Sequence, residues 1–560
     1  MADKKYDAVI VGGGHHANIL GCYLARAGLK TAMFERWHEC GGGACGEELP
    51  LPGFIQNVCA HWTRFYTHPA YTDFNLRDFG LVYTFPEYNE GWVYPNGKYM
   101  LGKSVMEVVD PLTGRAEWND GRAQEVANHA RHISKHDADV VDDILTRFKT
   151  KWSAAFARYR YTGPDDWGEL DPLEELTGDA KYGIDPRYAH MTIAEVARDL
   201  FDSPELQTFF MRAHQTSHGL MPFEKAGLYW HVHVLGLVLS VTGAAVVYGG
   251  SHSIAHALLR AFQAEGGEFF VLSEVEKVLV TNGKASGIRL KNGTEIEADL
   301  VISDLSVDFT MDLLGEEYVP RDLWQKIQKL KEPPKSLEDL TGYARTQVLW
   351  GQIALIDPPV YPQNQDLGYV PRLYMGPADP EMFFSGDYMR ERWNKGLADQ
   401  LYLLVSPDSQ WDPTRAPTGR FAAMVEEFSC HVSRFSEREW LGIKRRVAKK
   451  MVEEWGKYAP NVTMDNFIEA HISTPDDIRN RNPCNRGGGW GGLDMDAGRL
   501  GRLKPFREIN NYRMPVKDYY LCSSAAHNGH GIGRGSGYNC YKAIAKDYGL
   551  SYRPWETRAY

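Results

Sequence analysis

The stretch that most constrains this chain is Tyr6 to Arg36, YDAVIVGGGHHANILGCYLARAGLKTAMFER. Ala8-Val9-Ile10-Val11 is a short apolar run ending in Gly12-Gly13-Gly14, the pattern of a buried parallel strand entering a tight turn. The following ANILGCYLARAG has apolar residues at helical spacing until Gly28 stops it. KTAMFER then supplies a second strand, closing a βαβ unit at Glu35. Gly12, Gly14 and Ala17 form a G-x-G-x-x-A turn. Its glycines let the backbone approach a pyrophosphate on the helix N-terminus, and its small third residue lets helix pack on strand. Glu35 falls where an acid binds a ribose hydroxyl, so the unit reads as a dinucleotide site.

Glu35 disfavours a 2'-phosphate, which leaves FAD or NAD. A second cluster, Gly41 to Gly43, follows within ECGGGACGEE, where flavoproteins run backbone beside the cofactor's diphosphate and ribose; it points to FAD. From Tyr248 the chain reads as a helix, a strand, a turn at Asn282-Gly283, a strand, a turn at Asn292-Gly293 and a last strand near Asp304, a meander returning to the sheet. Near the end, DYYLCSSAAHNGHGIGRGSGYNCYKAIAKDYG is again strand, Gly-rich loop and helix. The N-terminus of that helix would favour the charge that builds at N1 and C2=O of a reduced flavin ring. Only about two dozen residues follow this loop, so a second dinucleotide fold has no room.

These three segments together resemble the phytoene desaturase-like, carotenoid isomerase-like branch of the FAD-dependent amine oxidase superfamily. Gly12-Gly13-Gly14-His15, Glu35-Arg36, Gly42-Gly43 and Glu47-Glu48 match the family's opening. Gly249-Gly250, Glu274-Val275, Gly287-Ile288 and Ala298-Asp299-Leu300-Val301 match its middle. Tyr520-Leu521-Cys522, His527, Gly529, Gly531, Gly537 and Asn539 match its end, and Thr474 to Gly492 resembles its segment leading into the flavin region. The resemblance implies an α/β fold: a Rossmann-type, glutathione reductase-like FAD-binding domain in two or three layers, with an inserted mixed α+β substrate domain. It assigns residues 1–75, 245–315 and 475–560 to the FAD domain, and 76–244 and 316–474 to the substrate lid. It implies FAD held by Gly12, Gly14, His15, Ala17, Glu35, Arg36, Gly42, Gly43, Val275, Gly529, Gly531, Gly537 and Asn539, with the Val275 backbone at the adenine.

Three positions depart from the family. His16 stands where Asn or Gly is usual, and His530 and Arg534 replace glycines beside the expected flavin ring, which makes them candidates for contact with substrate or flavin. The stretch MRAHQTSHGLMPFEKAGLYWHVHVLGLVLSVTGAAVVYGG is almost uncharged after Lys225 and reads as a buried helix roofing the cavity. Its His214, His218, His231 and His233 are the polar groups there, and His231 joins His530 and Arg534 as a candidate catalytic residue. His214 and His218 share a helix face, but no third ligand is evident and no metal is expected. Cys40 and Cys45 have the C-x4-C spacing of flavin disulfide reductases, yet Cys40 precedes the glycine pair instead of following it.

The implied activity is FAD-dependent hydride transfer from a hydrophobic, terpenoid, carotenoid-like or alicyclic substrate to flavin N5, giving a desaturated or oxidised product. Such chemistry calls for an apolar slot with few titratable groups and a base for the neighbouring proton. Amine oxidation, double-bond isomerisation with reduced FAD, and flavin binding without catalysis are the alternatives. Lacking an NAD domain, the protein would pass electrons to oxygen, a quinone or a carrier protein. A net charge of -11 without any Lys/Arg block argues against a nucleic-acid partner. No signal-like region precedes the first strand and no run approaches the roughly 18 apolar residues of a membrane span, so a cytoplasmic protein is expected, with peripheral membrane contact compatible with a lipophilic substrate. Eight scattered Cys without paired spacing read as reduced thiols. The aromatic clusters at 59–100 and 208–250 fit an apolar pocket or buried core. The polar stretch Asp110 to Pro186 reads as a surface lid or homo-oligomer contact with no assigned chemistry.

Overall fold

The computed structural model describes residues 5–60, 63–235, 245–340, 342–343 and 345–558; at positions 214, 217, 218 and 233–235 the description covers the backbone only. Five parallel strands form the centre of the first sheet, in the order Glu268–Phe270, Thr31–Phe34, Lys5–Val11, Glu295–Ser303 and Tyr519–Leu521. Glu295–Ser303 serves two partners on one side: Val301 to Ser303 pair in parallel with Tyr519 to Leu521, while Glu295 to Glu297 pair antiparallel with Gly287 to Arg289 of strand Lys284–Leu290. Val275–Thr281 completes the sheet beyond it. The expected Asn-Gly turn is present, with Asn282 and Gly283 both at positive φ (52° and 75°), as a two-residue hairpin matched to strand twist requires.

Helix His15–Arg26 is buried from His15 to Ala25, which explains why its sequence is apolar nearly all round. It stops before Gly28, whose φ is +90°. Gly21 and Gly537 permit its close neighbours: a Cβ at Gly21 would lie 3.2 Å from the Phe262 ring of helix His252–Ala264, and one at Gly537 in helix Ser536–Tyr548 would lie 2.5 Å from the His16 carbonyl. The α/β class with a Rossmann-type FAD-binding fold is therefore present.

A second, mixed sheet has the order Phe467–Ser473, Val348–Leu355, Phe421–Phe428, Leu403–Ser406, Arg372–Met375, Tyr88–Val93 and Tyr99–Lys103. Helix Glu437–Gly456 begins with a Ser436/Glu439 capping box and buries Trp440, Ile443, Val447, Met451 and Trp455 at helical spacing. The two aromatic-rich stretches meet in the core: Trp92 stacks on Tyr94 and Tyr374, and Phe209 meets its ring edge-on. Among the described residues no helix is long and apolar enough to cross a membrane.

Two expectations need correction. The expected roofing segment is broken into helix Pro204–His218, a turn opened by Gly219 at φ +68°, and a helical stretch from Gly227 to Leu235; residues 236–244 lie outside the described residues. The polar stretch 110–186 is mostly surface helix, but its helix Ser153–Tyr161 ends in buried Tyr159, Arg160 and Tyr161, and Arg160 reaches the interior cavity described below.

Candidate active site

Three segments far apart in sequence are joined by direct hydrogen bonds. The Gly41 N–H donates to the Gly13 carbonyl at 2.7 Å, tying the second glycine cluster to the first. Asn18 Nδ2 donates to the Gly13 and Gly14 carbonyls at 2.9 and 2.8 Å and fixes the turn. His16 Nε2 donates to the Gly529 carbonyl at 2.6 Å, linking the first helix to the C-terminal loop. That bond requires a proton on Nε2, and burial, which lowers the His16 pKa well below its ordinary value, leaves the ring neutral with Nδ1 bare.

The carboxyl edge of the parallel strands opens on a cavity of about 260 Å3, the position at which open α/β sheets bind ligands. Gly12, Gly14, His15, Glu35, Arg36, Gly42, Gly43 and Val275 line it. Ala17 is buried behind them. Glu35 accepts from the Gly13 N–H at 2.7 Å and the Trp37 N–H at 2.8 Å, so its carboxylate is locked at the end of its strand. Asp304, Arg481, Asn482, Asn485 and Ser524 complete the walls. Asp304 is the residue that local sequence reasoning passes over. It follows directly on strand Glu295–Ser303 and packs so close to Gly14 that a Cβ there would overlap its carboxyl oxygen. Burial holds its carboxyl well above the usual carboxylate range, against the backbone N–H groups of Ala17 and Gly14, and a protonated acid is compatible with a diphosphate beside it.

His15, Gly43, Asn482, Asn485 and Ser524 also line a second cavity of about 190 Å3, so the two adjoin across these residues. The second cavity holds His530 and Arg534, together with Arg64, Arg160, Arg372, Glu426, Trp350, Trp490, Gly531 and Ile532. The His530 ring lies 4.7 Å from that of Trp490, and its nitrogens are buried without a side-chain partner, the Gly491 backbone being the polar group that faces them. Burial, then the charges of Lys504 and Arg534, lower its pKa well below the ordinary value, so the imidazole is neutral. Burial lowers Lys504 itself to about 7.

The remaining expected site residues lie elsewhere. Gly529 faces a small neighbouring void, and a Cβ there would lie 2.3 Å from the Ser523 carbonyl. Gly537 packs on helix His15–Arg26, and Asn539 donates to the Arg160 and Thr162 carbonyls at 3.2 and 3.3 Å. Among the described residues, 535–539 line neither cavity, because these backbones pack directly against others; the loop His530 to Arg534 reaches the second cavity instead. The second cavity carries more titratable groups than the expected apolar slot, since guanidiniums stand in its wall beside Trp350, Trp490 and Ile532. Burial pushes the Cys40 thiol up to about 12 and raises Cys45, which is unlike a reactive thiol pair.

His231 is also away from both cavities, between Trp152 and Tyr188 at 5.1 Å from each ring; the side chains of His214, His218 and His233 lie outside the described residues. Burial lowers His231 to about 4. Folded chain thus keeps it neutral while unfolded chain protonates it below about 6.5, so its contribution is complete above that pH and is lost on acidification towards 4. Relative to the wild type, His231→Phe is expected to gain on the order of 1.4 kcal/mol per pH unit across this window, read by urea unfolding at several pH values. A difference independent of pH would refute the buried neutral assignment.

Residues 21–334, more than half of the chain, match the family "Flavin containing amine oxidoreductase", and the chain belongs to it. It is 26% identical over 571 residues to the rat (Rattus norvegicus) "Pyridine nucleotide-disulfide oxidoreductase domain-containing protein 2", covering 97% of this chain and 94% of that one. It is 22% identical to a limonene dehydrogenase subunit from Castellaniella defragrans, covering 98% and 96%. A neurosporene-forming phytoene desaturase of Rhodobacter capsulatus is 26% identical over 58% of this chain and 57% of its own. A putrescine oxidase variant shares the fold, with a TM-score of 0.60 at 12% identity over 97% and 99% of the chains. The protein is an FAD-dependent oxidoreductase of the phytoene desaturase-like branch. The first cavity fits that cofactor: Gly12, at φ +96°, and Gly14 leave a cradle that a side chain would fill, and Glu35 stands at the strand end.

Proposed function

We propose that the protein desaturates or otherwise oxidises a compact, largely apolar alicyclic substrate, and that the second cavity is where this happens. The observation that carries the reading is the position of His530: neutral and buried, on the Trp490 ring, in the cavity that adjoins the nucleotide site. Residues 1–75, 245–315 and 475–560 would form the FAD domain, with the adenosine end between Glu35 and Val275. FAD, when bound, supplies the acceptor for hydride from a substrate C–H bond. Trp350, Trp490 and Ile532 hold the apolar body, and His530 takes the neighbouring proton as general base. A volume of about 190 Å3, below the roughly 300 Å3 at which pockets for drug-sized ligands begin, favours a small ring over a long polyene. The limonene dehydrogenase relative, whose named substrate is an alicyclic hydrocarbon, supports the same choice. Amine oxidation is disfavoured because an ammonium group would face the arginines.

The test is anaerobic addition of alicyclic acids, cyclic terpenes and amines to the yellow protein, followed by absorbance. Bleaching by an alicyclic compound and by no amine is the expected result. Bleaching by amines alone would refute the reading, and product formation without bleaching would indicate isomerisation.

A further inference from the structure

Four arginines from four separate segments converge on the second cavity: Arg64, Arg160, Arg372 and Arg534. Arg64, Arg160 and Arg372 are at most 7% exposed. Glu426 is the one carboxylate in this wall among the described residues, and it is engaged: it accepts from Thr216 and from Trp350 Nε1, both at 3.1 Å, and faces Arg212 at 3.6 Å. Glu90 forms an ion pair with Arg372 at 2.8 Å. Positive charge therefore exceeds negative charge in an enclosed space, where concentrating like charges is costly. Burial lowers Arg64 well below its ordinary value; Glu90, shared with Arg372, attracts it, while Arg372 and Arg160 repel it. Arg160 donates to the Gly533 carbonyl, a neutral acceptor. The diphosphate of FAD would not supply the balancing charge, because none of the four arginines lines the first cavity, and an oxidised flavin ring is neutral.

Building on the flavin reading, we propose that the substrate carries a compact oxyanion, a carboxylate or phosphate, bound by Arg64, Arg160 and Arg534 with its apolar body against Trp350 and Trp490. Planar guanidiniums suit either group through paired hydrogen bonds. The anion would also offset the positive charge facing His530, so that the base strengthens when substrate is in place.

Calorimetric titration of the FAD-loaded protein with cyclohexanecarboxylate, cyclohexyl phosphate and neutral cyclohexanecarboxamide tests this directly. One of the two anions is expected to bind at least about tenfold more tightly than the amide, and which one identifies the group. Arg64→Gln should weaken that anion by about tenfold to a hundredfold without changing amide affinity, and Arg64→Lys should restore part of the loss. Equal binding of all three ligands, or an anion affinity untouched by Arg64→Gln, would overturn the proposal. If Arg64→Gln does not fold, Arg534→Gln and the wild-type comparison decide it in the same way. Calorimetry does not depend on flavin colour, so a protein that stays colourless with FAD counts against the flavin reading, and a yellow protein indifferent to anions against this one.

Discussion

Gly14→Val is expected to weaken FAD binding by up to about a hundredfold while leaving the chain folded. Gly14 opens helix His15–Arg26 as its N-cap residue, and a Cβ there would overlap Asp304. Two relaxations are open. The turn can shift away from the helix axis, which removes its N–H groups from the diphosphate, or Asp304 can swing into the cavity it lines and occupy the space the diphosphate needs. Overpacking costs roughly 1–3 kcal/mol in a core, and its upper end, expressed as lost affinity, is about a hundredfold. Reconstitution with FAD, followed by filtration and absorbance, measures it. Gly168→Val is the control, because a Cβ at Gly168 meets nothing within 4 Å. A Gly14→Val protein with wild-type flavin content would show that the first cavity does not hold the diphosphate.

The second large effect is expected at His530. His530→Ala should keep its flavin and lower the anaerobic rate of flavin reduction by at least about a hundredfold, the usual contribution of a positioned general base. His530→Gln preserves polar bulk without an equivalent base and should be as slow. Since burial and nearby cations hold the imidazole neutral, the wild-type rate should not fall through protonation of His530 between about pH 6.5 and 8. Variants that reduce at rates within about threefold of the wild type would remove His530 from the chemistry and leave it a packing partner of Trp490.

The nucleotide half of the site is legible because its signals are local. Gly12, Gly14 and Glu35 lie within one βαβ unit, and the Asn282-Gly283 turn dictates the meander that brings Val275 to the first cavity. What a linear sequence does not show is convergence. Arg64, Arg160 and Arg372 carry no local signal that they meet Arg534 at one cavity, and Arg160 sits at the end of a polar stretch that otherwise is surface helix. Asp304 looks like the end of a strand, and only the parallel pairing of Val11 with Ser303 sets it against Gly14. His231 stands out as a polar residue in an apolar run, yet its ring fills space between Trp152 and Tyr188. At Gly537 and Asn539 the motif is present for packing, with the loop before the helix reaching the second cavity in its place. His530 and Arg534 are visible as departures from a glycine pattern, and that signal does lead to the cavity wall.

The most direct test of the account is a crystal structure of the protein with FAD bound. Adenine is expected beside Val275, the ribose at Glu35, the diphosphate across Gly12 to Gly14, and the flavin ring at the boundary lined by His15, Gly43 and Ser524, facing His530 across the second cavity. A flavin ring seated away from His530 and the arginine-lined wall, with FAD otherwise bound, would contradict it.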